Sequence, residues 1–143
     1  MPKKFDPSKK DILLSQGRQR SLDIYRLMSL LPIMPYHSVA DVGCGPGYIT
    51  IPLGKYVFDG KVYALDIRQE MLDATRESLE ALHLTNVDLL LSEESRLPLE
   101  DSCLDGAVVA FVLQEAESPK DLLKEVYRCS KKEGWLALLE WHK

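Results

Sequence analysis

Short apolar runs alternate along this chain with longer segments in which apolar residues recur every three or four positions. The short runs are typical of buried strands, and we predict strands at residues 38–42, 61–65, 86–91, 106–113 and 135–141. The longer segments predict helices at residues 12–31, from near residue 50, at 69–83 and at 119–130. Because strand and helix alternate, the pattern predicts an α/β fold in which helices cover both faces of a parallel sheet.

The length, net charge and cysteine spacing of the chain restrict the classes of function that it can have. It has 143 residues, which favours a single domain, and its net charge of −4 argues against a nucleic-acid partner, since phosphate binding needs a concentration of Lys and Arg. Cys44, Cys103 and Cys129 have neither CxxC nor Cys/His spacing, so no metal site is predicted. The scattered cysteines, with no apolar span and no signal segment, predict reduced thiols in a cytoplasmic protein.

A glycine-rich turn follows the first predicted strand. Asp41 is followed by Gly43, Gly45 and Gly47 at alternate positions, and the second strand ends in Asp66, nineteen residues after the last glycine. Glycine lets a ligand approach the main chain closely. In a doubly wound sheet the two strand ends lie side by side, and ligands bind at the carboxyl ends of strands. The pattern therefore predicts a site for a nucleoside-containing cofactor.

The spacing of the turn separates the possible cofactors. A dinucleotide fingerprint closes with Gly or Ala so that helix and strand pack closely, whereas Tyr48 stands at that position here. This speaks against a nicotinamide-dependent dehydrogenase. Two structural alternatives remain open: a tight turn without a ligand, and an N-cap role for Asp66 in the helix that follows.

The D-x-G-x-G-x-G turn in this context resembles the class I S-adenosylmethionine-dependent methyltransferases, over about residues 37–141. The nearest resemblance is to small-molecule methyltransferases of the ubiquinone and menaquinone biosynthesis type. It implies a Rossmann-like doubly wound parallel sheet of strand order 3-2-1-4-5, with S-adenosyl-L-methionine as cofactor. The family fold continues with two more strands, which this chain is expected to lack.

The resemblance also implies the residues that contact the cofactor. They are Asp41, Gly43, Cys44, Gly45, Gly47, Asp66, Ile67, Met71, Glu93, Glu94, Ala110 and Phe111. The glycine turn would pass under the methionine part, with Asp41 near its amino group, and Cys44 between the glycines would serve packing. Asp66 would accept hydrogen bonds from both ribose hydroxyls.

The remaining contacts in this set would surround the adenine and the methyl group. Ile67 and Met71 would flank the ring, although a core position is an alternative for Met71. Glu93 falls where the family usually has an Asp that accepts from the adenine amino group, and Glu94 where a backbone amide reaches the ring; a solvated acidic loop is the alternative for both. Ala110 and Phe111, at the end of the fourth strand, would form the wall beside the methyl group.

The reaction that the resemblance implies moves a methyl group from a sulfonium to a small-molecule acceptor. Positioning is the main task of the protein, because the sulfonium is already an activated electrophile. No catalytic residue is assigned: Gln114 stands where many relatives have His, so it either binds a substrate or has a structural role. The alternative is a non-catalytic S-adenosylmethionine-binding module, or the regulatory partner of an active methyltransferase.

Two further expectations concern the ends of the fold. Residues 1–36 are expected to form an N-terminal tail and a lid helix, with residues 16–20 in the lid, and residues 37–143 the methyltransferase core. The fifth strand would leave Leu136, Leu138 and Leu139 uncovered, and an uncovered strand edge is a template for pairing with another chain. We therefore expect self-association through this region.

Overall fold

The computed structural model describes residues 24–140, and its centre is one five-stranded parallel sheet. The strands are β1 (Ser38–Val42), β2 (Lys61–Asp66), β3 (Val87–Leu91), β4 (Leu104–Ala110) and β5 (Ser130–Leu139), and the helices are α1 (Ile24–Leu30), α2 (Thr50–Tyr56), α3 (Gln69–Ala81) and α4 (Pro119–Cys129). The strand order is β3-β2-β1-β4-β5, and all four neighbouring pairs are parallel. The α/β class and the order 3-2-1-4-5 are therefore confirmed.

Helices cover both faces of the sheet because successive residues of β1 point to opposite sides. Ala40 and Val42 lie in a core cluster with Leu122 and Val126 of α4, and Val39 lies in a second cluster with residues of α1 and α2. Strand β1, at the centre of the sheet, thus contributes to both layers of the core.

Helix α1 is the described end of the predicted helix 12–31. Its Ile24 and Met28 are buried in the second cluster, which also contains Leu53 of α2 and Val57, the residue that follows α2. This part packs on a face of the sheet. Residues 1–23, including the proposed lid at 16–20, lie outside the described residues, so the lid stays a prediction.

The fourth and fifth strands begin earlier than the apolar runs predict. Strand β4 starts at Leu104 and ends at Ala110, because Phe111 leaves the strand with a φ of 60°. Strand β5 starts at Ser130 rather than at residue 135. An irregularity between Leu104 and Gly106 pairs the first with Ser130 and the second with Trp135, which leaves a polar bulge that apolar patterning does not reveal.

Specific hydrogen bonds mark the end of α3 and the start of α4. His83 has a φ of 56°, its N–H donates to the carbonyl of Glu80, and the N–H of Leu84 donates to the carbonyl of Leu79. This Schellman geometry ends α3 two residues before the predicted end. At α4 the side chain of Ser118 accepts a bond from the N–H of Asp121, which confirms the predicted cap.

Candidate cofactor-binding site

The turn between β1 and α2 depends on its glycines. Gly43, Gly45 and Gly47 have φ values of 73°, 54° and 97°, in the region that L side chains rarely adopt. A Cβ on Gly43 would also overlap the side chain of Val112, and one on Gly47 would lie 3.1 Å from Thr75. The backbone and its neighbours therefore leave no room for larger residues at the first and last of these positions.

The turn is bonded to the end of β2. The N–H groups of Gly43 and Cys44 both donate to the carbonyl of Leu65 at 2.8 Å, and the N–H of Gly45 donates to Oδ2 of Asp66 at 2.9 Å. The hydroxyl of Thr75 in α3 donates to the carbonyl of Gly45 at 2.8 Å. The two strand ends are therefore side by side, as the sequence predicts.

Asp66 is 9% exposed and is oriented by two backbone groups. Its Oδ2 accepts from Gly45, and its Oδ1 accepts from the N–H of Arg68 at 3.0 Å. Arg68 occupies the N-cap position of α3 without a side-chain capping bond, so the N-cap alternative for Asp66 is wrong. Each carboxylate oxygen keeps a second lone pair, which is the chemistry that a pair of ribose hydroxyls requires.

Burial governs the charge on Asp66. It raises the pKa of the carboxyl group above the usual value, while the hydrogen bonds from Gly45 and Arg68 and the positive charge of Arg68 act in the opposite direction. The two backbone hydrogen bonds favour the ionised form and hold the carboxylate of Asp66 in one orientation at the edge of the sheet.

Asp41 is still more enclosed, at 1% exposure, and accepts a hydrogen bond of 2.6 Å from the hydroxyl of Thr50. Burial raises the pKa of Asp41 to about 7; the Thr50 bond partly offsets this effect, and the negative charge of Asp66 adds to it. A nearby cation would favour the ionised form of such a group. The two aspartates thus fit a cofactor that carries an ammonium group and a ribose.

Cys44 and Met71, two further residues of the predicted site, are buried in packed positions. Cys44 is buried in a cluster with Ala64 and Leu72, as its packing role predicts. Burial and the charges of Asp41 and Asp66 raise the pKa of its thiol, which makes a nucleophilic role unfavourable. Met71, at 2% exposure, lies on the buried side of α3, which favours its core alternative.

Ile67 and Glu93 lie on the exposed side of the same edge. Ile67 directly follows Asp66 and is exposed. The loop after β3 is attached beside it, because the N–H of Ser92 donates to the carbonyl of Asp66 at 2.9 Å. Glu93 is exposed in this loop and forms an isolated antiparallel bridge with Arg96. Ile67 is thus adjacent to Asp66 in the chain, and the loop that carries Glu93 is bonded to the backbone of Asp66.

The same loop is fixed to α4 by Arg128. The guanidinium group of Arg128 bonds to the carbonyl of Leu97 at 3.1 Å and to both carboxylate oxygens of Glu125, at 2.7 and 3.0 Å. The N–H of Leu97 returns a bond to Glu125 at 2.9 Å. Hydrogen bonding from Arg128 lowers the pKa of Glu125, so this connection persists over the neutral range.

The loop that connects β4 with α4 also borders the site, in addition to the glycine turn and the loop after β3. Ala110 ends β4, and Phe111 follows with its positive φ and an N–H that donates to the carbonyl of Leu139 at 2.8 Å. The side chain of Val112 lies against Gly43. Sequence patterning places Val112 inside a strand, so its contact with the glycine turn is a feature that the sequence reading misses.

Two carboxylates hold this loop. Glu94, predicted near the cofactor, accepts from the N–H of Glu117 at 2.7 Å. Glu140, which the sequence reading misses, accepts from the N–H of Leu113 at 3.2 Å and from the side-chain amide of Gln114 at 3.1 Å. The structural alternative for Gln114 is therefore the one that its contacts support. The one signal for Glu140 is its place directly after β5, at the edge where the site lies.

The described residues contain neither a cluster of metal ligands nor a membrane-spanning helix. Among residues 24–140, no three His, Cys, Asp or Glu side chains are arranged to hold a metal ion. No helix in the same range combines the length and the apolar character needed to cross a membrane.

The chain and its fold correspond to one family of known proteins. The family described as "Methyltransferase domain" matches residues 40–138. The chain therefore belongs to the S-adenosylmethionine-dependent methyltransferases, and the family resemblance seen in its sequence is confirmed. S-adenosylmethionine is the cofactor of this family.

Individual relatives show how far the similarity extends. The chain is 35% identical over 114 residues to a demethylmenaquinone methyltransferase of Bacillus mycoides, which covers 79% of this chain and 48% of the relative. A biotin biosynthesis bifunctional protein of Teredinibacter turnerae is 32% identical over 113 residues, covering 71% of this chain and 19% of that protein. The chain thus spans about half the length of the demethylmenaquinone methyltransferases it matches.

A solved structure supports the whole described fold. The structure of an S-adenosylmethionine-dependent methyltransferase from Aquifex aeolicus superimposes with a TM-score of 0.91 at 36% identity, covering 96% of this chain and 74% of that one. The similarity in structure is therefore more extensive than the similarity to the curated sequences.

Proposed function

We propose that this chain binds S-adenosylmethionine at the carboxyl ends of β1, β2 and β4 and transfers its methyl group to a small-molecule acceptor. The observation that carries the proposal is the glycine turn bonded to Asp66, because it joins a bare main chain to a buried acceptor. The name of the demethylmenaquinone methyltransferases supports an acceptor of quinol type.

Five residues of the site have a direct role in this proposal. Asp41 would balance the charge of the cofactor's ammonium group, and Asp66 would accept from the ribose hydroxyls. The glycine turn would pass under the methionine part, with Gly43 and Gly47 keeping its backbone in positive-φ conformations. Phe111 would form the wall beside the methyl group.

The bound cofactor would supply an activated methyl group, so the work of the protein is orientation. Fixing two reactants in line removes translational freedom that would otherwise oppose the reaction, an effect of up to about 7–11 kcal/mol in favourable cases. A base is needed only when the acceptor must lose a proton, and this proposal assigns none.

The cofactor contacts are tested by replacing Asp66. Calorimetric titration with S-adenosylmethionine is expected to show at least about a tenfold loss of affinity for Asp66→Ala, because a charge-assisted acceptor is removed. Asp66→Asn keeps one acceptor oxygen and should lose less. Asp73→Ala, an exposed change on α3, should bind like the parent. A parent protein that does not bind the compound, or an Asp66→Ala variant that binds it equally well, would overturn the proposal.

Turnover is measured separately from binding. Release of S-adenosylhomocysteine in the presence of a demethylmenaquinone-type quinol would support catalysis on a small acceptor. Binding without release, with this and other phenolic acceptors, would favour the alternative of a non-catalytic binding module.

Two properties of the whole protein are also part of the proposal. We propose a cytoplasmic location, since Cys44, Cys103 and Cys129 are all free thiols. We also propose self-association through β5, whose Leu136 and Leu138 are 48% and 49% exposed. Leu139 does not belong to this exposed set, because it packs against the core cluster that contains α1.

A further inference from the structure

The loop between β4 and α4 starts from a backbone conformation that needs support. Phe111 has a φ of 60°, and bulky L residues rarely adopt this region. Such a conformation persists only where the surrounding structure holds it, and it is concentrated at functional sites. The source of that support is therefore informative about the site.

The support comes from the end of β5. The N–H of Phe111 donates to the carbonyl of Leu139 at 2.8 Å, and the next residue, Glu140, receives two bonds from the loop. One carboxylate oxygen accepts from the N–H of Leu113 at 3.2 Å, and the other accepts from the side chain of Gln114 at 3.1 Å. Three hydrogen bonds thus connect the loop to Leu139, the last residue of β5, and to Glu140, which follows it.

The attached loop reaches the cofactor site through Val112. This residue lies between Phe111 and Leu113, and its side chain fills the space beside Gly43 that a Cβ would occupy. Its carbonyl also accepts from the N–H groups of Glu115 and Ala116, at 3.0 and 3.1 Å, which closes the loop on itself. A displacement of the loop would therefore move the side chain that packs on the glycine turn.

We propose that Glu140 is a positioning residue for methyl transfer, because its carboxylate fixes the loop that carries Phe111 and Val112 at the cofactor site. The role rests on the proposed function, which places the cofactor at this edge. Glu140 acts through the loop and has no contact with the reacting atoms. Gln114 belongs to the same attachment, because its side-chain amide donates to Glu140.

The test compares Glu140→Ala with Glu140→Gln and Glu133→Ala in the full chain. Glu133 is an exposed glutamate in β5, the strand that Glu140 directly follows, so its replacement makes the same change in charge and composition. In Glu140→Gln, the amide oxygen can still accept from Leu113, and the amide nitrogen can donate to Gln114 after that side chain turns. This variant should keep most of the function of the parent.

Two measurements decide the outcome. Hydrogen exchange is expected to be faster over residues 111–117 in Glu140→Ala, and its affinity for S-adenosylmethionine should be about tenfold weaker, the effect of losing charge-assisted bonds. Glu140→Gln should restore both properties. Gln114→Ala, which removes one bond only, should show a smaller effect in the same direction.

The opposing results are distinct. If the parent binds S-adenosylmethionine and Glu140→Ala resembles Glu133→Ala in both exchange and affinity, the positioning role is wrong and the proposed function stands. If the parent does not bind the compound, the proposed function fails, and the positioning role fails with it. Faster exchange in Glu140→Ala without a change in affinity would also overturn the positioning role.

Discussion

Asp41 is a buried carboxyl group whose pKa of about 7 lies well above its ordinary value of 3.8. The folded protein therefore binds the proton of Asp41 more tightly than the unfolded chain does. By linkage, the contribution of this group to stability is complete below about pH 4 and is lost as the pH rises through 7. Folding of the protein therefore becomes less favourable over the pH range in which Asp41 loses its proton.

We expect the free energy of unfolding of the protein without cofactor to fall between about pH 4 and pH 7, and to fall less in Asp41→Asn. Asparagine cannot ionise, but its carbonyl can still accept from Thr50. Denaturant unfolding at several pH values measures the difference in slope. Thr50→Val, which removes the bond that lowers the pKa, should move the loss of stability to higher pH. Parallel curves for the parent and Asp41→Asn would contradict the assignment.

The chemical character of the site residues could be predicted from the sequence, whereas the hydrogen bonds and packing contacts that hold them in place could not. The glycines and the two aspartates stand in one short motif or directly after a strand, so local patterning finds them. Glu140 bonds to residues 26 and 27 positions away, and no periodicity marks such a pair. The packing of Val112 on Gly43 requires two strands to be aligned first.

At the scale of elements, the end of α3 makes a measurable prediction. His83 adopts a left-handed conformation that costs a residue with a Cβ about 1–2 kcal/mol. His83→Gly should therefore raise the free energy of unfolding by about 0.5–1 kcal/mol, after the greater freedom of glycine in the unfolded chain is subtracted. Thermal and denaturant unfolding measure the effect.

The control at this position is His83→Ala. It removes the imidazole group but keeps the Cβ, so the strain remains and no comparable gain is expected. A decrease in stability for His83→Gly would show that the imidazole makes a contribution larger than the strain.

The bounds of the elements show what apolar patterning can and cannot find. The centres of all five strands could be predicted, because buried parallel strands are continuous apolar runs. The polar start of β5 at residues 130–134 could not, because these residues pair with β4 through an irregular register. The end of β4 was placed too late because Phe111 and Val112 are apolar, although they belong to the loop.

At the scale of the molecule, β5 forms one edge of the sheet, and none of the other described strands pairs with its outer side. We expect the weight-average sedimentation coefficient of the parent to increase with concentration, because edge strands offer unpaired backbone groups to another chain. Leu138→Lys places a charge on this strand and should reduce the increase. Phe58→Lys changes an exposed apolar residue in the turn before β2 and should have no such effect. A parent protein that stays monomeric at all concentrations would contradict self-association.

The order of the strands could be inferred at this scale only through resemblance to a family. The alternation of strands and helices predicts a parallel sheet, and the glycine turn and Asp66 predict that β1 and β2 are neighbours. Nothing local in the sequence states that β4 pairs with the other side of β1. That information is distributed over many packing contacts between the two core clusters.

The central position of β1 has a consequence for folding during synthesis on the ribosome. The N–H of Ser38, at the start of β1, bonds to Asp105 of β4, which lies 67 residues later in the chain. A ribosome adds about 5–20 residues per second, so one side of the central strand waits several seconds for its partner to be synthesised. During that interval the β4 side of β1 has no partner strand, and an unpaired strand edge offers its backbone groups to other chains.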